Sequence, residues 1–239
     1  MLRVDDGLAF EPADDSVEGR SREMADVLAG LAGRGLVRPP RGEAFPVVRG
    51  WGDPPLMAID RRYVQPFGIQ AFGVHVNGFV RNAGGLSLWV ARRADDVSIE
   101  PGKYDSMVGG GQPFGLTVRE NLIKEAAEEA GLPEAVARRA VPVGAVSYLM
   151  AAPDGLRRDT LFCFDLELDP ETAPRNTDGE VQAFELWPVD RVRQVLEATD
   201  AFKFNVPLTL LDFLIRHGRI GPDDAGYAAL ATGLRRPRG

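Results

Sequence analysis

The chain is 239 residues long, 44% hydrophobic and 26% charged, with a formal net charge of −7 and a single cysteine. That length suits one domain with an appended lobe. The acidic balance supplies no overall field for nucleic acid or an anionic membrane, so only a local basic patch is left for phosphate. One cysteine excludes an internal disulfide framework, and Cys163 lies in an apolar run, as a buried core thiol does. No stretch approaches the ~20 apolar residues of a membrane span. The acidic N-terminal stretch lacks the apolar core of a leader peptide, and a cytoplasmic monomer or homodimer is expected.

Residues 1–20 are rich in Asp, Glu and Gly, which predicts poor order. Met24, Val27, Leu28 and Leu31 share one side of a helix expected over 21–36. Pro39-Pro40 stops it. A short strand is expected over 46–51, and Pro54-Pro55 interrupts the chain before Leu56, Met57 and Ile59. Residues 1–65 thus read as a small accessory lobe, 66–200 as the main domain and 201–239 as a C-terminal helical extension. The main domain opens with strict alternation over 71–80, a strand. Val74, Val76 and Val80 share one face; His75, Asn77 and Phe79 share the other, and either face could be core. His75 and Asn77 read either as the wall of a polar substrate cavity or as a satisfied hydrogen-bond network. A second strand over 86–91 pairs across the 82–85 turn. A short strand over 105–109 leads into a glycine-rich turn. Strands follow over 143–149 and 160–168, divided by Pro153-Asp154-Gly155. After a polar loop over 176–179 come Glu180 and a strand over 181–187. Helices are expected over 188–198, 207–217 and 222–234, and residues 235–239 read as a solvated tail. Strands gathered around one glycine-flanked helix, with helices after, give an α/β domain.

That helix lies in GGGQPFGLTVRENLIKEAAEEAGL, residues 109–132. Spacings of three and four put Glu125, Glu128 and Glu129 on one face. Leu122, Ile123, Ala126, Ala127 and Ala130 form an apolar stripe opposite. Like charges four apart cost a helix roughly 0.2–0.5 kcal/mol, and neither Lys124 nor Lys103 sits between the carboxylates in sequence. A divalent cation relieves the repulsion further, because hard ions such as Mg2+ take oxygen ligands and keep substrate phosphates as co-ligands. Two readings stand: a solvated acidic face, or a metal site. Gly109, Gly110, Gly111 and Gly115 permit close backbone approach and positive φ before the helix. Gly131, with Pro133 just beyond, stops it. Together these make a compact metal–phosphate constellation.

The stretch resembles the box of the Nudix hydrolases: Gly, five residues, Glu, seven residues, then Arg-Glu-hydrophobic-any-Glu-Glu-any-Gly-hydrophobic. Aligned on Gly110, the chain supplies Lys124, Glu125, Ala126, Glu128, Glu129, Gly131 and Leu132 at the required spacing. It departs twice. Leu116 stands where the first Glu belongs, and Lys124 replaces Arg, which keeps the charge but loses the bidentate fork. The resemblance covers roughly residues 65 to 195 and implies an α/β/α sandwich with a mixed sheet. It also implies Mg2+ or Mn2+ held by Glu125, Glu128, Glu129 and the Gly109 carbonyl, with Lys124 orienting Glu125. Gly110 and Gly111 would lie at the substrate. Glu180 stands where many members bring in one more carboxylate, and equally reads as a surface loop acid.

Further phrases (FGVHVNGFV, LWVARR, PGKYDSMVGGGQPFG, DGEVQAFELWP and DFLIRHG) resemble the Nudix branch fused to thiamine pyrophosphokinase in some fungi and found alone in plants and bacteria. That branch also departs at the first Glu of the box. The resemblance implies a diphosphatase that cuts damaged thiamine diphosphates to the monophosphate and phosphate. Phe72, Trp89, Phe114 and Trp187 are aromatic faces for a ring, though each also reads as core, and Gln112 and Asn77 could hydrogen-bond a pyrimidine. The alternatives are a Nudix enzyme of nucleoside diphosphate derivatives such as ADP-ribose, and a catalytically silent diphosphate-binding module, which Leu116 favours.

Overall fold

The computed structural model describes residues 2–4 and 7–235, and it divides into two compact units. The smaller comprises Met1–Ala71 with Gln112–Gly115 and Leu149–Asp159; the larger comprises Phe72–Gly111, Leu116–Tyr148 and Thr160–Gly239.

In the smaller unit β1 (Leu2–Val4) pairs antiparallel with β2 (Gly7–Ala9). Helix α1 (Val17–Gly33) starts at Ser16, whose hydroxyl accepts the Gly19 N–H at 3.0 Å. The helix therefore begins four residues before the position read from its apolar stripe, and within residues 7–20 only 10–16 lack helix or strand, a shorter irregular stretch than expected. The part of that expectation falling on Met1, Asp5 and Asp6 lies outside the described residues. Strand β3 (Ala44–Val47) pairs with β4 (Met57–Asp60). It ends before 51 because Asp53 N–H turns back to the Gly50 carbonyl. Met24, Leu28, Phe45, Ile59, Tyr63 and Val64 form this unit's own core. The Asp60 carboxylate gathers the N–H groups of Arg41, Gly42 and Arg62 and clips the loops around it.

The larger unit is built on β6 (Gly85–Arg93), β7 (Tyr104–Asp105), β8 (Val108–Gly111), β11 (Val181–Pro188) and most of β5 (Gln70–Asn82), β9 (Val141–Ala152) and β10 (Gly155–Glu167), whose residues 70–71, 149–152 and 155–159 are counted with the smaller unit. The order is β11-β6-β5-β10-β9, with β7 beside β6 and β8 beside β5. Phe79–Asn82 pairs with Gly85–Leu88 across a two-residue turn. Beyond it the strands part: β7 takes β6, and β8 takes β5. The single strand expected over 105–109 is thus two pieces, broken at Ser106-Met107.

Both faces of β5 are core. Val74, Val76 and Val80 pack with Leu122, Ala126 and Ala130 of α2 (Val118–Ala130). Phe79 packs with Leu210, Phe213 and Leu214 of α5 (Val206–Arg216), alongside Val189 and Val192 of α4 (Val189–Ala198). Short α3 (Glu134–Ala137) follows α2. The result is the expected α/β/α sandwich, with α2 on one face and α4 and α5 on the other. Cys163 is buried, and burial lifts its thiol to about 12. The last helix, α6 (Tyr227–Gly233), is shorter than expected because Asp224 N–H closes a turn on Gly221 and Gly226 takes φ 79°. Arg235, read as solvated, pairs with buried Asp212; residues 236–239 of that tail lie outside the described residues. Among the described residues no helix is long and apolar enough to cross a membrane.

Candidate active site

Helix α2 carries the acidic cluster and is fixed at both ends. The Thr117 hydroxyl accepts the Glu120 N–H at 3.2 Å, and Glu120 Oε2 accepts the Thr117 N–H at 2.8 Å, a reciprocal capping box. Gly131 closes the helix at φ 60°, and Leu132 N–H reaches the Ala126 carbonyl at 3.0 Å. The loop before β11 docks there too, with Arg175 N–H donating to the Ala130 carbonyl and the Thr177 hydroxyl to that of Ala127. The apolar stripe is narrower than read. Ala127 is exposed, because it shares the flank of Glu120 and Lys124.

The three carboxylates differ in setting. The Glu125 side chain is 12% exposed and that of Glu128 is 52% exposed. Glu129 is half-buried, and its Oε2 accepts the Gly109 N–H at 2.8 Å. Burial lifts the Glu129 carboxyl well above the usual range; the Gly109 N–H offsets part of this, and the charge of Glu125 lifts it further. Lys124 Nζ lies 3.2 Å from Glu125 Oε1 and 2.7 Å from Glu128 Oε2. Sequence order hid this: a lysine outside the run folds across one turn and does sit between two of the carboxylates. Burial works against its charge, but Glu128 and Glu125 hold its pKa above the ordinary lysine value.

Gly109, Gly110 and Gly111 are not a turn. They form the end of β8, paired as His75↔Gly109, Val74↔Gly110 and Gly73↔Gly111. None of the three has a positive φ. Close approach is what demands glycine: a Cβ on Gly110 would overlap the Glu125 carboxylate, and one on Gly109 would lie 3.2 Å from His75 Nε2. Asn121 ties helix to strand by donating its Nδ2–H to the Gly111 carbonyl at 2.9 Å.

Other sequence-read positions fall elsewhere. His75 and Asn77 are 3% and 1% exposed, so they form a buried network rather than an open cavity wall. His75 Nδ1 lies 3.1 Å from Ser106 Oγ, and Asn77 donates to Asp165 at 3.1 Å. Burial depresses the His75 imidazole to about 4, so it is neutral. Gln112 is fully buried and belongs to the smaller unit. Glu180 is exposed and is held through its backbone, its N–H on Asp178 Oδ1 and its carbonyl on Ala94 N–H. Phe72 and Trp187 are buried and Trp89 partly so, whereas Phe114 is exposed. The reading missed Asp105, which takes Arg93 Nη1 at 3.0 Å and Lys203 Nζ at 2.9 Å; its partners are 12 and 98 residues away, beyond any local spacing rule.

Residues 71–207 match the NUDIX domain model, and residues 3–71 match a domain of unknown function, DUF4743. The chain belongs to the Nudix family. Nudix hydrolase 20, chloroplastic, of Arabidopsis thaliana is 42% identical over 233 residues, 98% of this chain and 62% of that protein. Nudix hydrolase 24, chloroplastic, of the same plant is 42% identical over 92% of this chain and 60% of that protein. An uncharacterized Saccharomyces cerevisiae protein, YJR142W, is 30% identical over 76% of this chain and 57% of its own length. The chain therefore spans about three-fifths of these relatives. Among solved structures, DR0079 from Deinococcus radiodurans superposes with a TM-score of 0.51 at 21% identity, covering 70% of this chain and 97% of that one, a likeness of fold.

Nudix hydrolases generally use divalent cations, and the side chains here suit one. Glu125 and Glu129 offer hard oxygen donors whose like charges act on each other, partly withdrawn from water, beside a strand that only glycine lets approach. Among the described residues no three acidic, histidine or cysteine side chains are already gathered as a finished cage. The outward carboxylate, Glu128, is held by Lys124 instead.

Proposed function

We propose that the chain is a Mg2+- or Mn2+-dependent diphosphatase acting on an organic diphosphate of the thiamine type, releasing the monophosphate and phosphate. The observation that carries the metal-dependent hydrolysis is the Glu125–Glu129 pair, held against β8, where Glu129 Oε2 meets the Gly109 N–H and the charge of Glu125 acts on it. Glu125, Glu129 and the Gly109 carbonyl would hold the ion, joined by Glu128 once its bond to Lys124 opens. When bound, such an ion neutralises the diphosphate and lowers the pKa of attacking water. The protein's own part is positioning. Asn121 fixes β8 to the helix, Thr117 and Gly131 fix the helix ends, and Lys124 keeps Glu125 and Glu128 apart from their mutual repulsion.

The thiamine assignment rests on the phrases shared with the thiamine pyrophosphokinase-linked branch, from FGVHVNGFV to DFLIRHG. One observation favours a silent diphosphate-binding module instead: Leu116 occupies the place of the first box carboxylate. Phosphate release is the deciding measurement, taken across oxothiamine diphosphate, thiamine diphosphate and ADP-ribose with Mg2+, Mn2+ or EDTA. Damaged thiamine diphosphate is expected first, ADP-ribose last, and EDTA is expected to stop all turnover. ADP-ribose in first place would discard the thiamine assignment. An inert wild type that gains turnover in Leu116→Glu would establish the silent module.

A further inference from the structure

Three charged side chains converge where β7 hands over to β8. Asp105, Arg93 and Lys203 have side-chain exposures of 10%, 12% and 13%. Lys203 comes from the segment between α4 and α5. That segment lies alongside β7: Tyr104 N–H donates to the Ala201 carbonyl, Lys203 N–H donates to the Tyr104 carbonyl, and Phe202 bridges Tyr104 in parallel. Arg93 is anchored separately by its Nε–H on the Ile99 carbonyl at 2.9 Å. Both cations reach the same oxygen, Asp105 Oδ2, while Oδ1 accepts the Ser106 N–H at 2.8 Å.

From there a continuous path leads to the acidic helix. Ser106 Oγ meets His75 Nδ1, His75 is paired with Gly109 across the sheet, and the Gly109 N–H holds Glu129. A strand break does not by itself call for buried ions, which cost several kcal/mol each to desolvate. One cation would satisfy Asp105; the second is brought from a distant segment. Its field, like that of Asp105, reaches Glu129.

We infer that Lys203 and Asp105 are a positioning pair for the metal-facing strand, holding Gly109 against Glu129 so that the cation ligands keep their places. This rests on the metal reading above, and it concerns residues outside the box helix.

The test separates positioning from simple charge. By electrostatics alone, Lys203→Met removes a positive charge near the carboxylates and tightens cation binding. Positioning gives the opposite sign. Mn2+ binding, followed by electron paramagnetic resonance on the intact chain, is expected to weaken about tenfold in Lys203→Met and to recover in Lys203→Arg, which keeps the pair with Asp105. Hydrogen exchange supplies a readout that needs no metal: the Gly109 amide is expected to lose protection in Lys203→Met and in Asp105→Asn, while the amides of α5 keep theirs. Should Lys203→Met not fold, the Gly109 amide in Asp105→Asn carries the test, because that variant lowers Mn2+ affinity on either account, whereas only loss of positioning exposes the amide. Tighter or unchanged Mn2+ binding, or an unchanged Gly109 amide, overturns the inference. A wild type that binds no Mn2+ sinks the metal reading instead, and the exchange data still decide the positioning.

Discussion

Glu129, half-buried on the α2 side of the sheet, and Asp165, buried on the α5 side, have surroundings that answer the charge in opposite ways. Asp165 is met by Arg216, His217 and Asn77, at 3.0, 2.9 and 3.1 Å. Burial works against its charge, but these partners outweigh burial and hold its carboxyl below the usual range. Glu129 has one backbone N–H and a neighbouring carboxylate, and it is lifted well above that range. A buried acid supplied with its own guanidinium and hydrogen-bond donors is finished as structure. One left beside a second acid has an interaction still to make. On the function proposed above, the contrast would separate an acid that holds the fold from one that binds a cation, and each side can be tested by removing a single group.

The largest effect is expected on the structural side. Arg216 also binds Asp212, itself 2% exposed. Arg216→Met leaves two buried carboxylates short of a partner, and truncating one member of a buried pair costs about 3–5 kcal/mol. Denaturant melts should show that loss, with kcat per folded molecule unchanged. A large fall in kcat at constant stability would mean the Asp165 cluster belongs to the chemistry.

Glu129→Gln should behave in the reverse way. Turnover is expected to fall by more than about 100-fold, beyond the range typical of groups that merely support a metal ligand. Without added metal, the melting temperature should hold or rise, since the variant removes an under-compensated charge and keeps an oxygen to accept the Gly109 N–H. Substantial remaining activity would return this helix face to an ordinary acidic surface.

How much of this contrast could be read in advance depended on the range of the signal. The acidic face of α2 and its Gly131 stop follow from helical spacing, and the alternation of β5 follows from a period of two, so both were legible. Thr117-x-x-Glu120 was legible too, as a capping box, and it would have placed the helix start at Val118. The glycines misled because their composition suggests a turn. Their reason is the Glu125 carboxylate above Gly110, a contact between segments 15 residues apart. His75 and Asn77 were ambiguous because an alternating strand does not say whether its polar face meets solvent or a helix. Here α5 covers it; Ser106 meets the His75 imidazole and Asp165 takes the Asn77 amide donor, while Asn77 Oδ1 stays buried without a partner. Asp105 with Lys203, and Asp165 with Arg216, are pairings made by the tertiary fold alone.

Acid should weaken the structural cluster. Asp165 titrates lower in the folded chain than in the unfolded one, so its contribution is full above the unfolded aspartate value of about 3.9 and is lost as pH falls through the folded value. The effect should be smaller than that of Arg216→Met, because a protonated carboxyl still accepts hydrogen bonds. Melts from pH 7 to pH 3 should show stability falling below about pH 4. Asp165→Asn should start lower and fall less steeply. Equal slopes would mean that Asp165 is not an important part of the acid response.

The smallest effect is expected at Lys124, and it bears most directly on the comparison. Lys124 does for Glu125 and Glu128 what Arg216 does for Asp165, but its side chain is 41% exposed and Glu128 is more exposed still. Ion pairs open to solvent contribute about 0.2–1 kcal/mol. Lys124→Met should therefore lower stability by no more than about 1 kcal/mol, an effect that salt largely masks. On the function proposed above, its functional consequence should be out of proportion, since Lys124 would orient Glu125 and release Glu128 to the cation. kcat/KM is expected to drop about tenfold, with Lys124→Arg restoring it because the guanidinium fork spans both carboxylates. If Lys124→Met instead cost as much stability as Arg216→Met, the pairing beside the box would be structural after all, and the distinction between the two acidic clusters would not hold.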